Sequence, residues 1–186
     1  MKRLFVIIAL CFLALSAYAQ ESAGTNSGIR FFVRTGVTYA MNSPGENIFS
    51  SQIPTPDLPR PSNVNINAGF AWYVIPKLSL GAGIGIENYN SSYANGYPFF
   101  AEGKCFLFDS ANTPFIYGLV GTMINGSGNV NSQKGNMADI GIGYKLKLVK
   151  IISLNITAGY SYKELKRIYI NGYTGNLLSF GVGVEF

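Results

Sequence analysis

Four segments of this 186-residue chain alternate apolar and non-apolar residues with a period of two. They span 78–87, 137–148, 152–163 and 175–186. In the first, Leu78, Leu80, Ala82, Ile84 and Ile86 alternate with Ser79, Gly81, Gly83, Gly85 and Glu87. Over all four, 22 of the 23 residues of one face are apolar, Asn176 at the start of the last segment being the exception, and 21 of the 23 on the other are Gly, Ser, Thr, Asn or charged. Met137 and Leu177 are the two exceptions. Successive side chains of a strand point to opposite faces, so the pattern demands β-strands with one apolar and one polar wall. A helix cannot carry it.

Four less regular stretches extend the set. Residues 29–41 put Ile29, Phe31, Val33, Val37 and Tyr39 opposite Arg30, Arg34, Gly36 and Thr38. Residues 63–74 put Val64, Ile66, Ala68, Phe70, Trp72 and Val74 opposite Asn63, Asn65, Asn67 and Gly69. In 98–108, Glu102 and Lys104 share a face, with Cys105 and Leu107 on the other. In 115–125 both faces are apolar, and Tyr117 and Leu119 are expected to face outward. Eight strands of about 11 to 13 residues result. Short turns are expected at Ile75-Pro76-Lys77, at 110–114 and around Lys150, and longer segments at 42–62, 91–97, 126–135 and 166–173. That alternation puts both termini on the short-turn side.

The decisive question is which wall meets water. A soluble barrel would turn its apolar face inward, and its wetted face would then carry Gly81, Gly83, Gly85, Gly141, Gly143, Gly181 and Gly183, which weaken a strand and offer solvent nothing. Inside a narrow barrel the same glycines make room for larger neighbours, because eight strands leave a bore that side chains just fill. The polar wall also holds Arg30, Arg34, Glu87, Glu102, Lys104, Asp139, Lys145, Lys147, Lys163 and Glu185, of which six are expected to be paired. Phe32 and Phe106 are expected to help fill the bore. Only 12% of the chain is charged while 48% is hydrophobic, as suits a coat that faces lipid. Tyr39, Tyr89, Phe99, Tyr160, Tyr162 and Phe186 stand toward strand ends and suggest an aromatic girdle. The expected fold is all-β: an eight-stranded antiparallel up-and-down transmembrane β-barrel.

Residues 1–19 read as a cleaved signal peptide, with Lys2 and Arg3, an apolar core from Leu4 to Leu15, and Ala17-Tyr18-Ala19 before the cut. A short leader (20–28) and a barrel domain (29–186) follow. The mature chain keeps one cysteine, Cys105, so no internal disulfide is available. It has no basic run of the kind that binds nucleic acid. Histidine is absent from the whole chain, which removes the commonest general base and metal ligand, and no cofactor or metal motif is present.

The last strand, Leu178-Ser179-Phe180-Gly181-Val182-Gly183-Val184-Glu185-Phe186, resembles the terminal assembly signal of the small eight-stranded outer-membrane β-barrel proteins of Gram-negative bacteria (OmpA/OmpX-type barrels). The resemblance covers 29–186. It implies insertion by the barrel-assembly machinery, which would read Phe180, Val182, Val184 and Phe186, and residence in outer-membrane lipid. The expected function is non-enzymatic, with extracellular loops serving surface contact or envelope integrity. Candidate contact residues are Ile48, Phe49, Ile53, Leu58 and Arg60, on a loop stiffened by Pro44, Pro54, Pro56, Pro59 and Pro61. The competing readings are a narrow pore for small solutes and a soluble periplasmic barrel with an apolar ligand.

Overall fold

The computed structural model describes residues 27–41, 62–89, 94–127, 130–149, 151–165 and 173–186. Residues 1–26 and the proline-rich segment with Ile48, Phe49, Ile53, Leu58 and Arg60 lie outside the described residues. Eight strands follow in order: β1 Gly28–Ala40, β2 Ser62–Ile75, β3 Leu78–Tyr89, β4 Ala94–Phe106, β5 Thr113–Ser127, β6 Val130–Lys147, β7 Ser153–Leu165 and β8 Tyr173–Glu185. Each pairs antiparallel with its sequence neighbours, and β8 returns to β1 to close the barrel.

The register fixes the barrel's shape. From Arg30 the directly paired residues run through Ala71, Gly81, Glu102, Leu119, Asp139, Ser161 and Leu177, and return to β1 at Ala40, ten positions further on. With about 3.3 Å per residue and about 4.8 Å between strands, that offset tilts the strands by about 40° around a barrel of about 8 Å radius. A tilted strand of 12 residues then rises about 30 Å along the axis, enough to cross an apolar band of about 25 Å. Backbone hydrogen bonds of 2.8 Å in both directions between Phe31 and Phe186 extend the closing seam to the last residue.

Two connections are shorter than the sequence pattern suggests. β4 already begins at Ala94, and β5 and β6 run on through the expected 126–135 loop, pairing Asn125 with Gln133 and, after a register shift, Ser127 with Val130. Backbone pairing needs no apolar face, so these polar residues continue the hairpin where hydrophobic alternation has ended. Pro98 leaves a local gap of its own. The β3–β4 ladder passes from Ile84↔Phe99 to Glu87↔Gly96 without bridging the positions between, because Pro98 has no N–H to give.

The wall is apolar outside and polar inside. Ile66, Trp72, Ile84, Val120, Ile140, Ile142 and Phe180 are all at least half exposed, whereas Glu87, Lys145, Lys163 and Glu185 are at most 2% exposed. Among the outward-facing strand residues whose side chains are described, the only charged one is Glu164, next to the loop end of β7. Cys105 is free and faces outward. Patches this large are foreign to soluble monomers and normal for a lipid-facing surface.

Two orientations differ from expectation. Tyr117 and Leu119 point into the bore, leaving Ile116, Gly118 and Val120 outside. The glycines of the neighbouring strands decide this. A Cβ at Gly159 would lie 2.5 Å from the Tyr117 hydroxyl, and one at Gly141 would lie 2.7 Å from its ring. Tyr89 also turns inward, 1% exposed, and is no part of an outer girdle. Its strand parity is that of Glu87, and its hydroxyl bonds that carboxylate.

Glycine–aromatic complementarity recurs. Virtual Cβ atoms at Gly83 and Gly143 would sit 2.6 Å from ring atoms of Phe100 and Phe115 respectively. Gly143→Val is therefore expected to lower unfolding stability by about 1–3 kcal/mol by overpacking. Urea unfolding in detergent, followed through the sole tryptophan, Trp72, checks this. An unchanged midpoint would mean that the Phe115 ring has room to move.

Candidate functional site

The interior polar wall assembles into two networks. On the turn side, near the termini, Glu185 is fully buried on the penultimate residue of the chain. It accepts from the Tyr73 hydroxyl at 2.5 Å, from Lys145 Nζ at 3.2 Å and from Asn155 Nδ2 at 3.3 Å. Lys145 Nζ also donates to the Tyr73 hydroxyl at 2.8 Å. Lys104 Nζ stands 4.0 Å from Glu185 and 2.9 Å from Glu102, and Glu102 takes Arg34 Nη1 at 2.6 Å. Six strands thus contribute to one network, and Lys104 joins its two carboxylates.

Aromatic faces serve as further partners for the cations. Lys145 lies 4.7 Å from the Tyr73 ring centroid, Lys104 5.3 Å from that of Phe32, and Arg34 5.5 Å from that of Phe100. Arg30 sits 5.9 Å from the Tyr73 centroid. Such contacts strengthen away from water, where a buried cation most needs them.

The second network lies toward the loops. Glu87 accepts from Lys163 Nζ at 2.6 Å, from the Tyr89 hydroxyl at 2.6 Å and from Asn63 Nδ2 at 3.1 Å. Across both networks, seven of the ten interior charges expected from sequence stand in ion pairs: Arg34, Glu87, Glu102, Lys104, Lys145, Lys163 and Glu185. Asp139 lines the space between them, and Lys147 is half-buried at the turn end. Sequence reading missed Tyr73, Tyr89, Asn63 and Asn155 as partners. Parity held the signal, because each lies an even number of residues from a charge or an Asn on the inner wall of its strand.

Apolar side chains pack among the networks. Toward the turn end Tyr73 stacks on Phe106 at a centroid spacing of 5.6 Å, and Phe115 meets Phe106 at a tilt, 5.4 Å away. Met123, Met137 and Leu177 belong to the buried cluster that also holds Ala40 and Tyr89 on the loop side. The two residues that broke the polar pattern of their strands, Met137 and Leu177, are thus part of that cluster. Of the terminal-strand residues, Phe180, Val182 and Val184 face outward, and Phe186 is half-exposed beside Phe31.

Fold and bore together define a class: an eight-stranded transmembrane β-barrel with a filled interior. No protein-family model matches the chain, and no curated protein matches it in sequence. Several solved structures are similar to it. Outer membrane protein OprG from Pseudomonas aeruginosa is similar at a TM-score of 0.50 and 12% identity, over 88% of this chain and 98% of its own. Neisserial surface protein A gives 0.49 and 17%, over 86% and 96%. The N-terminal β-barrel domain of Pseudomonas aeruginosa OprF gives 0.49 and 14%, over 86% and 98%. At these identities the likeness concerns architecture alone.

Proposed function

We propose that this chain is an integral outer-membrane barrel of a Gram-negative envelope that does no chemistry and passes no solute through its bore. It acts through the loops on the rim opposite its termini, in surface contact or envelope integrity. The bore carries this reading: aromatic rings pack among the ion pairs of its turn-side half, and Met and Leu side chains pack beside the Lys163–Glu87 pair of its loop-side half. The apolar outer wall supports residence in a bilayer. β1 ends at Ala40 and β2 begins at Ser62, both on the rim opposite the barrel's terminal ends, and in this reading Ile48, Phe49, Ile53, Leu58 and Arg60, between them in sequence, are the residues offered to a partner. The terminal strand remains the segment for the insertion machinery to read.

Two measurements test the proposal. Purified protein in planar bilayers is expected to show no discrete conductance, and stable openings would refute the plugged bore. External protease on intact cells is expected to cut within 42–62. Protection there, in cells whose other surface proteins are cut, would overturn surface display.

A further inference from the structure

The two edges of the outer wall differ. Toward the loops the outward face ends on polar residues, Asn88 on β3, Asn95 on β4, Asn136 on β6 and Asn176 on β8. Toward the turns the apolar face runs on past the strands. Ile75 leads into the β2–β3 turn, Leu107 and Phe108 into the β4–β5 turn, and Leu148, Val149 and Ile151 flank the β6–β7 turn, each between 37% and 59% exposed. These turns lie two strands apart around the rim, and at the remaining quarter, the β1–β8 seam, Ile29 is 51% exposed. The rim is apolar in every quarter.

Height and backbone pairing say what that rim meets. From Tyr97 to Leu107 on β4 and from Ala138 to Leu148 on β6, the outward face carries no charged or amide side chain. Ten residues on a strand tilted by about 40° rise about 25 Å, which already matches the apolar band of an outer membrane. Phe108, Val149 and Ile151 therefore lie just beyond it. Their turns are paired within the protein: the Leu107 N–H donates to Pro114 O at 3.0 Å, that of Phe108 to Thr113 Oγ1 at 3.1 Å, and those of Leu148 and Val149 to Ile152 O at 2.9 and 3.2 Å. Groups satisfied in this way leave water at little cost. The tips stay polar, with Lys77 exposed on the first turn and Asp109 and Asn112 on the second.

Apolar shoulders with polar tips suit the boundary where lipid tails give way to headgroups. A globular partner would cover one side of the rim, whereas a bilayer surrounds it and is continuous with the wall above. Lys77 can keep its stem among the apolar residues and its ammonium beside a phosphate. We infer that the three turns are immersed in the headgroup boundary of the turn-side leaflet, a ring of anchors on glycerophospholipid that sets the depth of the barrel. The inference rests on the membrane reading of the wall and adds that the turns, too, are out of water.

The full mature chain in phospholipid nanodiscs tests it. Phe108→Trp and Val149→Trp, each in a Trp72→Phe background, put the sole indole on a turn, while the unsubstituted chain keeps it on the wall at Trp72. Either variant carries the test if the other fails to close, which heat-dependent gel mobility reports. The turn indoles are expected to emit at shorter wavelength than in urea, to be quenched by phospholipid brominated near the glycerol end of its acyl chains, and to be spared by iodide. Quenching by iodide and not by brominated lipid would put the turns in water and overturn the inference, and Trp72 quenched by brominated lipid would then leave the membrane reading standing. Trp72 untouched by brominated lipid would defeat that reading itself. Blue-shifted turn emission that neither agent quenches would mean that a second copy of the chain covers the turns, and would also defeat the inference.

Discussion

Glu185→Ala is expected to destabilise the barrel by about 3–5 kcal/mol, the range for breaking a buried charge cluster by removing one partner. The reason is charge arithmetic in a small space. The turn-side half of the bore holds Arg30, Arg34, Lys104 and Lys145 against Glu102 and Glu185, so the substitution leaves four cations facing one carboxylate. It also leaves Tyr73 and Asn155 without the acceptor they share. Urea unfolding in phospholipid vesicles reads the loss, and heat-dependent gel mobility reports whether any barrel forms. Glu185→Gln preserves shape and an acceptor oxygen and is expected to fall between the wild type and Glu185→Ala. Equal stability of all three proteins would mean that the network contributes nothing.

Ile140→Arg is the second large effect, and its direction separates a lipid-facing wall from a wetted one. Ile140 is 63% exposed and pairs with Gly118 and Tyr160 half-way up the wall. On a soluble barrel an exposed position like this tolerates substitution within about 0.5 kcal/mol. Facing the middle of a bilayer, an arginine costs about 2–4 kcal/mol. The same vesicle unfolding experiment measures it. A neutral result would refute the membrane orientation.

Much of this architecture is legible in the sequence, for reasons that vary along the chain. In β6, β7 and β8 the two walls differ at nearly every step, so parity alone orients each strand. β5 defeats that approach, because Phe115, Tyr117 and Leu119 alternate with Ile116, Gly118 and Val120, and both faces are apolar apart from Gly118. Its orientation is set by glycines on β6 and β7, which only the register brings beneath Tyr117. Tyr89 misleads in another way, since residue type suggests a membrane interface while parity with Glu87 places it inside. The identity of the ion pairs is the least legible part. Lys145–Glu185, Arg34–Glu102 and Lys163–Glu87 are 40, 68 and 76 residues apart, and several registers must be known before any of them meets its partner.

The ten-residue offset at closure has a consequence for assembly. The seam between β1 and β8 inherits the registers of all seven hairpins. A slip of one residue in any hairpin arrives there as a slip of one, and side-chain period two makes that an exchange of faces. Glu185 would then point into lipid and Val184 into the bore. A slip of two keeps the faces but moves Glu185 off Phe32 and Leu177 off Ala40. Closure thus works as a parity check on the whole chain: errors made anywhere along it are detected at a single join, by its final residues.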